Sequence, residues 1–352
     1  MIAPELARRI PDAVLGDDGL PLHVGNPMAE QRRLRRDALV LLPRDVLRLT
    51  GPDRLPWLDS ITSQAVERLP AGASTESLVL SPEGRIEHVL RLRETGDALW
   101  IIVDAGAGDA LETWLTRMRF FKEVGIERPE VVVVGAAGEP AGELAWIDGW
   151  PEVAPGGVRY GEPTGEPWRW SEAILTSAEA EALDPARFVG TLAADALRIA
   201  AGRPSLAEVD ERTIPHELDW LTTAVHLAKG CYRGQETVAK VHNLGAPPRR
   251  VVLLHLDGSQ NAPVAAGDPV LRGDAEVGAV TSAAMHDELG PIALAVVKRA
   301  TPTDQDLTVR TADGVAVAAG QQVLVPPTAG HAHRPPRLPR LGAVQRPTAP
   351  PA

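Results

Sequence analysis

The chain has 352 residues, of which 44% are apolar and 24% charged, and its formal net charge is −11. That length predicts two or three domains, and the acidic balance disfavours a general nucleic-acid or anionic-membrane binder. A single cysteine excludes an internal disulfide, and residues 1–30 lack a signal-peptide pattern. Because the longest apolar runs have only the length of strands, we expect a cytoplasmic protein without a membrane span.

The first half of the chain is predicted to be an α+β unit that follows an irregular lead-in. Residues 1–36 end in a cluster of arginines, which indicates a solvated surface or a contact with acidic groups within the fold. Strands are predicted from Leu39 onward, and Asp53 is a plausible cap for the first helix. Apolar residues recur on one helical face from Leu111 to Phe121, which predicts a second helix there.

The second half is predicted to contain one clear helix followed by a β-rich region. Asp184 is the expected cap of that helix, and Gly202 can end it. From about residue 249, short β-runs alternate with turn residues, which is typical of a small barrel or sandwich. The predicted divisions are an irregular lead-in, two α+β subdomains, a C-terminal β-barrel and a disordered tail, at residues 1–36, 37–135, 136–246, 247–327 and 328–352.

The only cysteine, Cys231, lies in the run Lys229 to Glu236, where Gly230 and Gly234 allow tight turns on both sides. A helix starting near Glu236 would place the thiol just before a helix N-terminus, which favours a thiolate. The residues alone leave open a reactive or ligand thiol, a half-buried structural cysteine, and a nucleophile paired with a histidine. The histidines available for such a pair are His226 and His242. No second thiol accompanies Cys231, so no metal site is predicted.

The same run resembles the Lys-Gly-Cys-Tyr-x-Gly-Gln-Glu signature of the YgfZ family. That family is the folate-binding, iron–sulfur-maintenance branch related to the glycine-cleavage T-protein, an aminomethyltransferase. Supporting segments occur in the family's order, at Gly51 to Thr62, Leu80 to Ile86, Leu197 to Ile199 with Ala201 to Pro204, Thr213 to Glu217, Gly278 to Ser282 and Ile292 to Ala295. The resemblance implies an α+β, T-protein-like folate-binding fold of antiparallel sheets with packed helices and a small C-terminal β-barrel.

The resemblance also implies a function, namely binding of tetrahydrofolate and assembly or repair of iron–sulfur clusters in client enzymes, including one that modifies tRNA. Cys231 is the functional residue that the signature carries over. A cluster would be held at most transiently, because one thiol supplies one of the four ligands that a cluster normally needs. Folate and client enzymes are thus the expected partners, without direct nucleic-acid binding. The candidate folate contacts are Tyr232, Gln235, Glu217, Arg203, Lys229 and Arg198.

Two positions depart from the T-protein pattern and keep alternative functions open. Glu87 and His88 stand where an aminomethyltransferase carries its catalytic aspartate, which counts against a self-contained enzyme. Ala200 stands where many relatives offer a glutamate to the pterin. Glu217 is the candidate substitute, because leaving pterin donors unpaired in a buried site costs roughly 1–3 kcal/mol. The alternatives are a folate-dependent one-carbon transferase that uses Glu87 or His88, and a folate-independent scaffold.

Overall fold

The structure, a computed structural model, describes residues 3–330 and residue 332. Its helices are short and alternate with strands along the chain. No helix in the described residues combines the length and the apolar character needed to cross a membrane. The α-helices are α1 (Ala3–Arg8), α2 (Pro27–Leu34), α3 (Arg54–Ile61), α4 (Gly108–Met118), α5 (Ser177–Glu181), α6 (Thr191–Ala200) and α7 (Gln235–Asn243).

Strands supply most of the regular structure on either side of these helices. In the first half they are β1 (Ala13–Leu15), β2 (Pro21–Val24), β3 (Leu39–Leu42), β4 (Arg44–Thr50), β5 (Ser74–Leu80), β6 (Ile86–Glu94), β7 (Ala98–Asp104), β8 (Gly125–Glu127) and β9 (Val132–Ala136). In the second half they are β10 (Ala145–Ile147), β11 (Ser171–Leu175), β12 (Phe188–Val189), β13 (Arg249–Leu256), β14 (Pro269–Arg272), β15 (Ala275–His286), β16 (Gly290–Lys298), β17 (Leu307–Arg310) and β18 (Ala316–Val323).

These strands form two five-stranded sheets and a closed barrel, besides the small pair β1-β2. One sheet has the order β5-β6-β7-β4-β8, the other has the order β10-β11-β9-β3-β12, and the barrel runs β13-β16-β15-β14-β17-β18. Their pairs are antiparallel except for β12, which is parallel to β3. The predicted α+β class, with antiparallel sheets and a small C-terminal barrel, is confirmed.

Strand β13 shows how the barrel is joined to the rest of the molecule. Val252 and Leu254 face the barrel interior, whereas Val251 and Leu253 belong to a separate core outside it. A strand places successive side chains on opposite faces, so a strand that is apolar on both faces can serve two cores. The barrel is therefore packed against the α+β part of the chain.

The second of these cores, here called the central core, lies where the β5–β6 hairpin, α6 and the barrel meet. Its buried members include Leu80 and Val89 of the hairpin, Ala200 of α6, Trp220, and Tyr232 of the signature run. Burial of an aromatic residue contributes a large apolar area, so Trp220 and Tyr232 are strong contributors to this junction. The central core thus fixes the signature run relative to all three parts.

The lead-in is folded, contrary to the prediction of an irregular segment. Asn26 caps α2 with its side chain. This capping signal is easily overlooked in the sequence, because the helix that follows it is short and polar. After the helix, Arg35 donates two hydrogen bonds to the buried Asp287 carboxylate of the barrel, at 3.0 and 2.9 Å. Gln31 Nε2 donates to the Met285 carbonyl at 2.8 Å. The arginine cluster therefore includes a contact with an acidic group within the fold.

Two helices differ from their predicted bounds because local turn chemistry intervenes. Phe120 has a φ of 48°, which is incompatible with helix, so α4 ends at Met118. Phe121 is consequently fully exposed rather than part of the buried face. Asp184 caps a three-residue 3₁₀ turn, and α6 begins only at Thr191. The apolar periodicity located both helices, but it did not locate their ends.

Three smaller expectations also change. Asp53 does not cap α3 with its side chain, since its carboxylate accepts the Glu123 N–H at 3.0 Å. The sequence predicts a last strand over 322–325, whereas β18 ends at Val323. In the predicted disordered tail, Ala329 is buried and Ala332 N–H donates to the His242 carbonyl of α7. Residue 331 and residues 333–352 of that tail lie outside the described residues.

The turn of the β5–β6 hairpin makes a close contact with the start of α7. Gly84 has a φ of 77°, and an added Cβ would lie 2.8 Å from Thr237 Cβ and 3.3 Å from the Gly234 carbonyl oxygen. We expect Gly84→Ala to lower the free energy of unfolding by about 1–3 kcal/mol. Both the positive φ of residue 84 and the close contact with Thr237 disfavour a Cβ atom at this position. Urea unfolding measures this. The control is Gly72→Ala, with a φ of 86° and open space around it; equal losses would contradict a contribution from the contact.

Candidate functional site

The signature loop, residues 229–234, leads directly into α7. Gly234 has a φ of 83°, and a Cβ there would lie 2.6 Å from the Ser81 carbonyl oxygen, so the loop lies tightly against the β5–β6 hairpin. In the middle of this loop Cys231 is exposed. The thiol precedes the N-terminus of α7 at Gln235, as the glycine spacing predicts. Its exposure excludes the half-buried structural cysteine.

Lys229 anchors the signature loop to the rest of the protein. Its ammonium donates to the carbonyls of Asp59, Thr62 and Gln64 at 2.5, 2.9 and 2.8 Å, and it lies 3.3 Å from the Asp59 carboxylate. Burial lowers the pKa of Lys229, while the Asp59 carboxylate opposes that effect. The ammonium also lies 5.5 Å from the centre of the Tyr232 ring. Lys229 therefore joins the loop to the end of α3.

Three further side chains of the signature run also contact the rest of the protein. Tyr232 is buried in the central core, and that burial raises the pKa of its phenol. Gln235 Nε2 donates to the Lys229 carbonyl at 3.3 Å. Arg233 donates two hydrogen bonds to the Glu87 carboxylate, at 2.7 and 3.2 Å. The side chains of Lys229, Arg233 and Gln235 thus hold the loop, while Cys231 and Glu236 are exposed.

The two histidines considered for a cysteine nucleophile are engaged in other contacts. His226 Nδ1 accepts the Ala228 N–H at 3.2 Å, and His242 Nδ1 is hydrogen-bonded to the Tyr160 hydroxyl at 2.8 Å. A nucleophilic cysteine needs an imidazole within hydrogen-bonding reach of its sulfur. This arrangement does not favour that mechanism.

A cavity of about 370 Å³, here called the larger cavity, lies where both five-stranded sheets meet α6. Its volume falls within the range of small-molecule sites, roughly 300–1,000 Å³. The indole rings of Trp168 and Trp170 stack at 5.3 Å on one wall, beside Trp146. Charged residues of both signs line the rest, namely Arg44, Arg91, Arg198, Arg203, Asp18, Asp104, Asp148, Glu172 and Asp195. Two predicted folate contacts, Arg198 and Arg203, are thereby brought to one cavity.

Both of these arginines are held by carboxylates. Arg203 donates to Asp148 Oδ2 at 2.9 Å and to Glu76 Oε1 at 2.8 Å. Desolvation disfavours its charged form, but the two carboxylates outweigh that effect and raise the pKa of Arg203. Arg198 donates to Glu208 Oε2 at 3.0 Å. The guanidinium groups are thus fixed in position at the cavity wall.

A series of buried hydrogen bonds joins the larger cavity to the signature loop. Glu76 accepts from Arg203 at 2.8 Å and from the Thr223 hydroxyl at 2.7 Å. The Thr223 carbonyl accepts from Gln64 Nε2 at 2.8 Å, and the Gln64 carbonyl accepts from Lys229, also at 2.8 Å. The cavity wall and the loop that carries the thiol therefore belong to one polar network.

Glu217 lies apart from the larger cavity. Its carboxylate is fully buried and accepts from Arg249 Nε at 3.1 Å and from Arg249 Nη2 at 2.8 Å. This pair joins the 3₁₀ helix Pro215–Leu218 to the start of β13. Because Arg249 neutralises the carboxylate, the geometry does not bring Glu217 into the role left vacant by Ala200.

A second cavity of about 170 Å³, here called the smaller cavity, shares Trp168 with the larger one. Asp219 lies in its wall, is buried, and has no cation within 4 Å in the part of the chain described. Its carboxylate accepts the N–H groups of Tyr160 at 2.9 Å and Gly161 at 3.4 Å. Burial raises the pKa of Asp219 to about 7. Sequence reasoning missed this residue, although a carboxylate between Leu and Trp is a signal of burial.

Asp219 gives the fold a pH dependence with a defined sign. Its pKa rises from 3.8 to about 7 on folding, so the native state binds the proton more tightly, and stability falls as the pH rises between these values. We expect Asp219→Asn, which cannot ionise, to be more stable than wild type by on the order of 1–3 kcal/mol at about pH 8. The gain should shrink towards about pH 4.

Thermal or urea unfolding across this pH range measures the effect. Glu162→Gln is the matched control, because it makes the same chemical change at an exposed position on the same cavity. A gain for Asp219→Asn that is independent of pH would contradict the assignment of this titration to Asp219.

Comparisons with known proteins agree with this architecture. A family model, the glycine cleavage T-protein C-terminal barrel domain, matches residues 249–326. A protein of Haemophilus influenzae named only as uncharacterized is 24% identical over 62% of this chain and 73% of its own length. The tRNA-modifying protein YgfZ of Yersinia enterocolitica is 28% identical over 62% of this chain and 70% of its own length. The glycine cleavage aminomethyltransferase T of Bartonella henselae shares the fold, with a TM-score of 0.72, 20% identity, and coverage of 91% and 95% of the two chains.

Proposed function

We propose that this protein, a member of the YgfZ family, binds tetrahydrofolate and assists the assembly or repair of iron–sulfur clusters in client enzymes through Cys231. The observation that carries the proposal is the exposure of this one thiol on a loop whose other side chains hold it in place. Such a thiol is accessible to a protein partner, and it is kept in a defined position by the Lys229 anchor.

The chemistry of a single thiol supports a role with a partner. Among the described residues, no group of three or more His, Cys, Asp or Glu side chains is arranged to hold a metal ion. An iron–sulfur cluster normally takes four protein ligands, so Cys231 would contribute one thiolate to a cluster held mainly by the client. Two similar proteins are named tRNA-modifying proteins, which supports enzymes of tRNA modification as clients.

The cavities support folate as the ligand. The larger cavity offers the indole wall of Trp168 and Trp170 for aromatic rings. Arg198 and Arg203 also line it, and a glutamate tail would have to share these guanidinium groups with the carboxylates that already hold them. When bound, a reduced folate supplies ring nitrogens that can carry one-carbon units. The hydrogen-bond network from Arg203 to Lys229 would connect its binding to the loop that carries the thiol.

The same residues argue against a self-contained one-carbon transferase. That reaction would need Glu87 or His88 as its acid–base group. The Glu87 carboxylate is bound by Arg233, and burial lowers the pKa of His88. The Glu87 carboxylate is therefore already paired, and neither Glu87 nor His88 lines the larger or the smaller cavity.

Complementation tests the role of the thiol. In a strain that lacks this protein, the activities of iron–sulfur enzymes are measured after expression of wild type, Cys231→Ser or Ala228→Ser. We expect Cys231→Ser to leave the activities at the level of the deletion, because a hydroxyl is a poor iron ligand. Ala228→Ser, which adds a hydroxyl to an exposed neighbouring position, should restore them. Full rescue by Cys231→Ser would overturn the mechanism centred on the cysteine.

Calorimetry with tetrahydrofolate under anaerobic conditions tests the ligand separately. We expect saturable binding by the wild-type protein, and we expect Cys231→Ser to bind equally well because Cys231 does not line either cavity. No binding by the wild type would refute the folate part and would leave the scaffold alternative.

A further inference from the structure

The position of Asp219 is unfavourable for folding and calls for an explanation. Its side chain is buried without a cationic partner within 4 Å, and two backbone N–H groups and the Thr222 hydroxyl compensate part of the loss of water. The charge of Arg159 also lowers the pKa of Asp219, but this guanidinium donates to the carbonyls of Trp150, Pro151 and Glu152. A buried ionisable group of this kind, placed at a cavity wall, is characteristic of a binding or catalytic site.

The Asp219 carboxylate can accept a further hydrogen bond, so a ligand in the smaller cavity would have to supply donors. Each carboxylate oxygen can accept two hydrogen bonds, and the N–H groups of Tyr160 and Gly161 together with the Thr222 hydroxyl use three of these four positions. One carboxylate position remains, and beside it the Thr222 hydroxyl oxygen, which accepts from no other group in the described residues, can accept from a ligand. A carboxylate acceptor next to a hydroxyl acceptor matches a flat ligand edge that carries two adjacent N–H donors, as a pterin does at its 2-amino group and N3.

The surrounding walls fit an aromatic ring of about that size. Trp150 and Trp168 line the smaller cavity together with the aliphatic side chains of Val251 and Leu324. A volume of about 170 Å³ suits a bicyclic ring, whereas a complete folate needs additional space. The larger cavity shares Trp168 and could accept the remainder of the molecule next to Arg198.

We propose that Asp219 is the carboxylate that recognises the pterin ring of a reduced folate, with the ring lying between the tryptophans of the smaller cavity. The inference rests on the proposed folate binding and names the residue that determines its specificity. It also accounts for Ala200, because Ala201 and Gly202, which follow it, line the same cavity. The carboxylate absent at Ala200 is offered instead from the turn that follows the 3₁₀ helix Pro215–Leu218.

Anaerobic calorimetry at about pH 8, where the carboxylate is ionised, compares ligand binding by wild type, Asp219→Asn and Glu139→Gln, the last at an exposed position that lines neither cavity. With tetrahydrofolate we expect Asp219→Asn to bind at least about tenfold more weakly, because its amide group meets the donors of the pterin with a donor of its own. Glu139→Gln should bind like wild type. Unfolding experiments should show Asp219→Asn to be at least as stable as wild type, which separates lost binding from lost structure.

A second ligand, p-aminobenzoyl-glutamate, lacks the pterin and isolates its contribution. We expect its weak binding to be the same in wild type and Asp219→Asn. Equal weakening for both ligands would show a general change in the cavity and would overturn the role in pterin recognition. Unchanged tetrahydrofolate binding by Asp219→Asn would overturn the inference alone. Absence of binding by the wild type would refute the proposed folate function itself.

Discussion

Replacing Arg203 by Met is expected to lower the free energy of unfolding by about 3–5 kcal/mol. The guanidinium and both of its carboxylate partners are almost completely buried, with exposed side-chain fractions of 4% for Arg203 and 3% for each of Glu76 and Asp148. A methionine fills a similar volume, so the loss arises mainly from two carboxylates that remain buried without their cation. Urea unfolding at neutral pH measures it.

The control for this substitution is Arg48→Met. Arg48 pairs with Asp97 and Glu127, whose side chains are 72% and 56% exposed, so its loss should cost about 0–1 kcal/mol. Adding Glu76→Gln and Asp148→Asn to Arg203→Met should recover part of the stability, because the uncompensated charges are then removed. Comparable losses for Arg203→Met and Arg48→Met would contradict the importance of burial.

Replacing Lys229 by Met is expected to lower the free energy of unfolding by about 3 kcal/mol or more, and to release the signature loop. Three carbonyl groups, of Asp59, Thr62 and Gln64, lose their donor, and each partly buried acceptor left unpaired costs about 1–3 kcal/mol. The Asp59 carboxylate also loses its cation. We therefore expect Lys229→Met to restore the activities of the client enzymes as poorly as Cys231→Ser does, although the thiol remains.

Amide hydrogen exchange of residues 229–234 measures the release of the loop directly. Lys229→Met should exchange faster there than wild type, whereas the barrel strands keep their protection. Lys240→Met is the control, since this exposed lysine of α7 is only eleven residues further along the chain. Unchanged exchange in Lys229→Met would show that the loop holds its shape without the ammonium.

The sequence predicted those parts of the molecule whose signals are local. Alternating apolar residues and regularly spaced turns indicated the barrel, and the glycines around Cys231 indicated a tight loop before a helix. The exposure of Cys231 could not be read from the chain, because the neighbouring Tyr232 is buried. It depends on how the hairpin and α3 pack against the loop.

The parts that sequence reasoning missed depend on distant partners. Arg203 is held by Glu76, 127 residues earlier in the chain, and Glu217 is neutralised by Arg249, 32 residues later. No periodicity links such pairs, so both residues could be named as candidates while their contacts could not. Asp219 was missed for a different reason: the neighbouring Leu218 and Trp220 signal its burial, but its φ of 57° and its place in a cavity wall are not visible in the sequence.

The contact of the lead-in with the barrel has a consequence for biosynthesis. Arg35 and Asp287 are 252 residues apart, so the acceptor does not exist when α2 leaves the ribosome. At about 5–20 residues per second, translation of the intervening chain takes on the order of tens of seconds. Throughout that interval α2 lacks its partners in the barrel. The contact between α2 and the barrel is therefore completed only after the chain as far as Asp287 has been synthesised.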